Sequence, residues 1–196
     1  MVNDNPLRIQ DVSYEDLSPM MKQYVDLKKS LGSTLLFYRL GDFYEMFFVV
    51  VIYASNALEL TLTARDCGNN LRAPMCGVPF HAYSSYASRL IGLGQKVAIC
   101  EQLEDPATAK GLVKRGLVKV LTPGTITDFI GLDEKKNNYL MSIYCVGSQY
   151  GVGVADISTG SFDATQLCFD NTDEHVVNLI SKYEPSEIIY NEAFSK

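Results

Sequence analysis

The chain has 196 residues, 47% of them apolar and 20% charged, which suits one or two domains with substantial cores. No apolar run approaches the ~20 residues a membrane-spanning helix needs, and Met1-Val2-Asn3-Asp4-Asn5-Pro6 has neither a basic nor an apolar export region. A net charge of −6 argues at first sight against nucleic acid, and five scattered cysteines without a Cys-x-x-Cys pair read as reduced thiols of a cytosolic protein, not as a disulfide framework or a zinc site.

Along the chain, Ser18-Pro19 is a good helix opening, a capping hydroxyl followed by proline in the first turn. Met20, Tyr24, Leu27 and Leu31 then define one helical face, and Gly32 closes it. Leu35-Leu36-Phe37-Tyr38 reads as a strand, Gly41-Asp42 as a turn, and Phe43-Tyr44-Glu45-Met46-Phe47 as a second, alternating strand. From Val49 to Leu58 the signals conflict: Val49-Val50-Val51-Ile52 favours a strand, whereas Ala54, Ala57 and Leu58 favour a helix. Leu60 to Thr63 is strand-like, and Cys67 to Ala73, with Gly68-Asn69-Asn70, reads as a polar loop. Tyr83, Tyr86, Ala87, Leu90 and Ile91 place an amphipathic helix over 82–91, stopping at Gly92 or Gly94. Lys96 to Cys100 and Leu117 to Leu121 read as strands of the buried type.

Thr122-Pro123-Gly124-Thr125 is the expected domain boundary, because turn chemistry coincides there with a change of charge. Residues 1–122 hold 13 Lys/Arg against 12 Asp/Glu, and residues 123–196 hold 4 against 11. A polar connector runs through Asp133-Glu134-Lys135-Lys136-Asn137-Asn138. Three strands follow at Tyr139–Val146, Val152–Ile157 and Ser161–Leu167, with turns at Gly147-Ser148 and Ser158-Thr159-Gly160. Asn171 and Glu174 resemble a capping box for a helix carrying Val176, Val177, Ile180 and Tyr183. Glu187-Ile188-Ile189-Tyr190 returns as a strand, giving an unfinished α/β sheet.

Within the first part, residues 65–119 contain eight basic side chains, Arg65, Arg72, Arg89, Lys96, Lys110, Lys114, Arg115 and Lys119, against four acids. Phosphate attraction depends on charge within a Debye length, ~8–10 Å in ordinary salt, so the first part can meet DNA despite the acidic total.

Several blocks stand in a recognisable order: Met21-Lys22-Gln23-Tyr24, Phe37-Tyr38-Arg39-Leu40-Gly41-Asp42-Phe43-Tyr44-Glu45-Met46-Phe47, and Pro74-Met75-Cys76-Gly77-Val78-Pro79-Phe80-His81-Ala82. Val97-Ala98-Ile99-Cys100-Glu101-Gln102, Lys110-Gly111-Leu112-Val113-Lys114-Arg115, Leu121-Thr122-Pro123-Gly124-Thr125 and Ala155-Asp156-Ile157-Ser158-Thr159-Gly160 complete the series. Together they cover almost the whole chain, which resembles the N-terminal part of the MutS family of DNA mismatch-repair proteins. The resemblance implies two α/β (mixed α+β) domains. Residues 1–122 would be a mixed sheet with flanking helices that reads mismatches, 123–137 a linker, and 138–196 the start of a ribonuclease H-like connector domain.

The family's mismatch reader is a Phe-x-Glu element, here Phe43-Tyr44-Glu45. Residues two apart in a strand point to the same side, so Phe43 and Glu45 approach one groove together while Tyr44 turns inward. An aromatic wedge costs roughly a few kcal/mol of unstacking per step. A mispaired base is already poorly stacked, so discrimination rests on deformability. The resemblance gives Glu45 a hydrogen bond to the displaced base. Met75 is a candidate groove-lining residue and Arg65 a candidate phosphate contact, with packing and solvation as their alternatives. For His81 and His175 structural or surface roles are expected. One departure stands out: after Phe47 the family usually places acidic residues, where this chain has Phe48-Val49-Val50-Val51.

Two other readings compete. Asp156 and Asp163, in a ribonuclease H-like order of elements, raise a metal-dependent nuclease, which needs carboxylates converging on ions ~3.5–4 Å apart. Alternatively, the second segment is a purely structural connector. No G-x-x-x-x-G-K-[ST] loop occurs, and Gly92-Leu93-Gly94-Gln95-Lys96 has the wrong spacing. No catalysis, cofactor or metal is therefore expected of this chain. The resemblance assigns ATP and magnesium to the ATPase of the full-length family protein. It also implies mismatched duplex DNA, a second subunit and MutL as partners, no membrane, and a cytoplasmic, nucleoid-associated location.

Overall fold

The structure, a computed structural model, describes residues 7–126, 136–168 and 172–195. They form two compact units, Met1–Leu121 and Thr122–Lys196, and each is a mixed sheet with a few helices. Asp133-Glu134-Lys135 of the expected linker and the expected Asn171 cap lie outside the described residues.

The first unit is built on a six-stranded sheet in the order β3-β4-β2-β1-β5-β6. Its strands are β1 (Leu35–Leu40), β2 (Phe43–Phe47), β3 (Thr63–Gly68), β4 (Leu71–Pro79), β5 (Val97–Gln102) and β6 (Arg115–Leu121). Only the β1–β5 pair is parallel. Helix α1 (Pro19–Lys29) covers one face. Its N-cap Ser18 accepts a hydrogen bond from Met21 N–H at 3.4 Å, as the Ser-Pro opening dictates. The buried stripe is Met21, Tyr24, Val25 and Lys28, not the expected Met20, Tyr24, Leu27 and Leu31, of which Met20, Leu27 and Leu31 lie at its flank. Lys28 explains the shift. Its stem packs inward while Nζ donates to the carbonyls of Gly32 (2.6 Å) and Thr34 (2.7 Å) beyond the helix end. Tyr24 anchors the helix to the sheet: its ring stands edge-on to Tyr38 and Phe47, and its hydroxyl bonds the Phe47 backbone.

Helix α2 (Val50–Leu58) resolves the conflicting stretch after Phe47. Phe48 turns the chain through φ +68, and Val51 is fully buried while Val49 is 40% exposed. The valine run therefore supplies a core-facing residue to a helix whose first turn has neither a side-chain cap nor an acidic residue. Helix α3 (Tyr83–Gly92) falls where the 3.6-residue period puts it and packs with α2 against the other sheet face.

Three expectations fail here. Leu60 to Leu62 lie outside any strand, and β3 begins only at Thr63. Cys67 to Ala73 is not a loop: it contains the end of β3, the start of β4 and a two-residue turn at Asn69 (φ +46) and Asn70 (φ +59). Asparagine tolerates the left-handed conformation such hairpins need. Strand β4 is also central despite Pro74, a residue that ordinarily argues against a central strand. The Pro74 carbonyl accepts from Phe48 N–H at 2.9 Å. The N–H that proline lacks would have faced the same side, where the chain leaves β2 at Phe48, so no ladder bond is lost. Separately, Arg72 bonds the Ala64 carbonyl at 2.7 Å. Strand β6, in turn, is an exposed edge strand with only Leu121 buried; β-branched composition alone does not separate an edge from an interior.

The second unit is a four-stranded sheet in the order β10-β7-β8-β9. A meander of β7 (Tyr139–Val146), β8 (Gln149–Asp156) and β9 (Ser161–Leu167) is followed by α4 (Thr172–Tyr183) and β10 (Glu187–Tyr190), which pairs parallel to β7. Met141, Ile143, Val152, Val154 and Val176 form its core. Asp156 is fully buried and staples the β8–β9 turn, accepting from Ser158 N–H (2.9 Å), Ser158 O–H (2.6 Å), Thr159 N–H (3.3 Å) and Asn138 N–H (3.2 Å). Burial alone would raise its pKa, but those donors outweigh it and hold the carboxyl below its ordinary range.

Candidate nucleic-acid interface

Phe43 is the first residue of β2 and is 46% exposed, although the four residues after it are all buried. Alternation across the strand puts Phe43, Glu45 and Phe47 on the α1 side and Tyr44 and Met46 on the other. Phe47 reaches the α1 core, so the same strand face runs from sealed interior to open surface within five residues. Across the sheet, Phe43 is paired with Leu40 and Pro79, and Glu45 with Tyr38 and Gly77. Gly77 leaves room there: a Cβ on it would sit 3.4 Å from Glu45 Cγ and 3.9 Å from the Phe43 ring.

The opposite face fixes the hairpin that carries the ring. Tyr44 is 2% exposed, and its hydroxyl donates to Glu101. Arg39 bridges to the same carboxylate at 3.7 Å, lies 3.9 Å over the Phe80 ring, and donates from Nε to Gly41 O. Phe80 N–H donates to Asp42 O at 2.9 Å, and Gly41 adopts φ +58 in the turn itself. The exposed ring thus projects from a turn held by a cation–aromatic stack and a partly buried hydroxyl–carboxylate bond.

Glu45 is only 8% exposed. Its Oε2 lies 3.1 Å from Arg65 Nη1 on β3, yet among the described residues it accepts no aligned hydrogen bond. The contact is an ion pair by distance with its N–H vectors aimed elsewhere. Burial pushes the Glu45 carboxyl above its ordinary pKa, and the Arg65 charge only partly offsets this.

Of the residues singled out from sequence, Phe43, Glu45 and Arg65 therefore come together. Met75 opposes Phe47, two residues along β4 from the Gly77 that opposes Glu45 and about 13 Å along the strand from the Pro79 that opposes Phe43. It packs against the core cluster and accepts a weak contact from Thr63 Oγ1 at 3.8 Å. His81 is exposed in the short turn Phe80–Ala82 before α3, with the Phe80 ring beside it. Several of the eight basic residues work inside the domain. Arg72 bonds Ala64 O, Arg89 bonds Ala57 O, and Arg115 bonds Arg39 O and Val113 O. The roles of Arg39, Gly77 and Glu101 were not legible in the sequence. A glycine inside a strand was the available signal for Gly77, hidden because the prolines masked the strand.

The Gly92–Lys96 stretch does not fit a nucleotide. The N–H groups of Leu93, Gly94 and Gln95 turn back onto Arg89, Leu90 and Ile91 carbonyls and close α3, so they do not converge on a phosphate. Among the described residues no helix is long and apolar enough to cross a membrane, and no three metal-ligating side chains cluster.

Comparison with known proteins bears on the whole chain. Residues 18–130 match the family model described as MutS domain I, and residues 138–196 match MutS domain II. The chain is 59% identical over 175 residues to the DNA mismatch repair protein MutS of Ruminiclostridium cellulolyticum, covering 89% of this chain and 20% of that protein. It is 56% identical over 178 residues to the protein of the same description from Acetivibrio thermocellus, covering 91% of this chain and 20% of the relative. With a Clostridium botulinum relative the identity is 53% over 176 residues, 90% of this chain and 19% of the relative. The chain spans about a fifth of the length of the curated relatives it matches.

Proposed function

The chain belongs to the MutS family of DNA mismatch-repair proteins, and on that premise we propose that its first unit reads mismatched or unpaired bases from the minor groove, with Phe43 as the wedge and Glu45 as the hydrogen-bonding partner of the displaced base. The observation that carries this reading is the exposure of the Phe43 ring at the open end of a strand face that also presents Glu45.

The chemistry of the two side chains is complementary. The ring enters where stacking is weak and pays less of the unstacking cost, roughly a few kcal/mol per step, than it would in perfect duplex. The carboxylate repels duplex phosphate unless a base edge meets it. Desolvation at Glu45 makes sharing a proton with that edge easier than it would be for an exposed glutamate. A correctly paired base offers nothing in exchange, so the acidic group penalises the wrong target.

In the whole protein, this module acts within a dimer in which one subunit's phenylalanine reads. ATP and magnesium act on domains the chain does not span, and the second unit passes motion and meets MutL. The Asp156 carboxylate, consumed by four donors in a turn, supports a structural second unit over a nuclease.

The test for the glutamate is Glu45→Ala in a MutS relative whose corresponding domains are replaced by this chain. Perfect-duplex affinity should rise by roughly three- to tenfold, in line with removing a like-charge contact of about 1 kcal/mol, while mismatch affinity changes less. Unchanged binding to perfect duplex would remove the repulsive role.

A further inference from the structure

We propose that Arg65 is a detachable counter-ion for Glu45: it holds the carboxylate as an ion on the sheet surface in the absence of DNA and sets how strongly the protein rejects perfect duplex. This rests on the reading of Glu45 given above and adds a second residue to it.

The geometry is specific. Strand β4 lies between β3 and β2, so Arg65 must reach across a whole strand to meet Glu45. Its own partner on β4 is Ala73, and the residue opposite Glu45 is Gly77, so the guanidinium reaches diagonally along β4 past Met75 to end at the position where Gly77 offers no side chain. The 3.1 Å approach to Oε2 is made without an aligned hydrogen bond. A buried, bidentate arginine–carboxylate pair would be costly to separate. This pair lacks that fork geometry, and the Arg65 side chain is 38% exposed, so water or a phosphate can take the guanidinium over.

Among the described residues Arg65 is the charge that acts on Glu45. From β1 the facing side chain is Tyr38, whose hydroxyl donates to Gln23. Beyond it Arg115 lies 5.1 Å from the Tyr38 ring and is committed to the carbonyls of Arg39 and Val113. From β4 the facing residue is uncharged Gly77. Desolvation raises the Glu45 pKa, and Arg65 is the charge that lowers it. Removing Arg65 therefore moves Glu45 towards its neutral form, which no longer repels phosphate.

The experiment measures the ratio of mismatched- to perfect-duplex affinity from weakly acid to weakly alkaline pH. It uses the same replaced-domain protein carrying Arg65→Met, Arg65→Lys, Glu45→Gln and the Arg65→Met/Glu45→Gln pair. Arg65→Met should move the midpoint of the ratio to higher pH and lower the ratio roughly fivefold at neutral pH, as coupled neighbours do. Arg65→Lys should keep the original midpoint, and Glu45→Gln should flatten the profile so that adding Arg65→Met shifts nothing further. Equal loss of both affinities at every pH in Arg65→Met, with a smaller salt dependence, overturns the pairing and makes Arg65 a phosphate contact alone. If Glu45→Gln leaves the original pH profile unchanged, the reading of Glu45 itself fails and the pairing with it.

Discussion

Replacing Phe43 with alanine should leave the first unit folded and abolish its preference for mismatched DNA. The ring is 46% exposed, and its hairpin is held from the far side by Tyr44, Arg39, Phe80 and Glu101. Truncation therefore removes little of the core, and a stability change within about 0.5 kcal/mol is expected, as for other surface substitutions. Function should respond far more strongly. Inserting an apolar side chain between bases exchanges roughly a few kcal/mol of stacking for bending and new contact. With alanine neither term remains. A loss of even about 1.4 kcal/mol is tenfold in affinity ratio, so the mismatch-to-perfect ratio should fall at least about tenfold, towards unity. Phe43→Leu should retain part of the preference, because aliphatic wedges also kink duplexes. Competition binding with mismatched and perfect duplexes, beside a thermal melt, separates the two effects. Preserved discrimination in the alanine variant would mean that another residue reads the lesion.

Gly68→Ala should be the most damaging single-methyl change in the first unit. The residue adopts φ +115, and a Cβ there would lie 2.2 Å from Asp16 O and 2.6 Å from Ser18 N. Both obstacles are backbone, so no side-chain rotation relieves the clash. The same place carries the Ser18 N–H to Cys67 O hydrogen bond of 2.7 Å and the Asn69 to Asp16 side-chain bond of 3.0 Å. Either the β3–β4 hairpin tip or the entry to α1 must move, and the capping of α1 goes with it. A cost of about 3 kcal/mol or more is expected, the range of overpacking combined with backbone strain. In a unit of this size that lowers the melting midpoint by more than about 10 °C. Gly32→Ala provides the control. Its φ of +54 is also left-handed, but a Cβ there meets nothing within 4 Å, so only the conformational cost of about 1–2 kcal/mol applies. Equal losses in the two variants would show that the close approach contributes nothing.

Much of this architecture can be read from residue order because local periods and tertiary burial agree. The strands at Leu35–Tyr38 and Phe43–Phe47 flank the Gly41 turn, α3 repeats at 3.6 residues, and the β7–β8–β9 meander is punctuated by glycine turns. The failures have separate physical causes. In α1, Lys28 buries its stem and shifts the core face by one residue from the one its apolar neighbours mark. In β4, Pro74 conceals an interior strand because it sits where β2 ends, opposite Phe48, so the donor that proline lacks has no ladder partner to lose. The Glu45–Arg65 pair is invisible for a related reason. It depends on the register of β3 against β4 and on the absence of a side chain at Gly77, neither of which spacing along the chain specifies.

The central claim is that the ring at position 43 enters the base stack at the lesion. A photoreactive phenylalanine analogue at position 43, in the replaced-domain protein bound to duplex with a single mismatch at a known step, tests this most directly. Cross-links confined to the mispaired nucleotide and its immediate neighbour, and largely lost on perfect duplex, are the result expected. Cross-links spread evenly along both duplexes, or formed with protein alone, would contradict it.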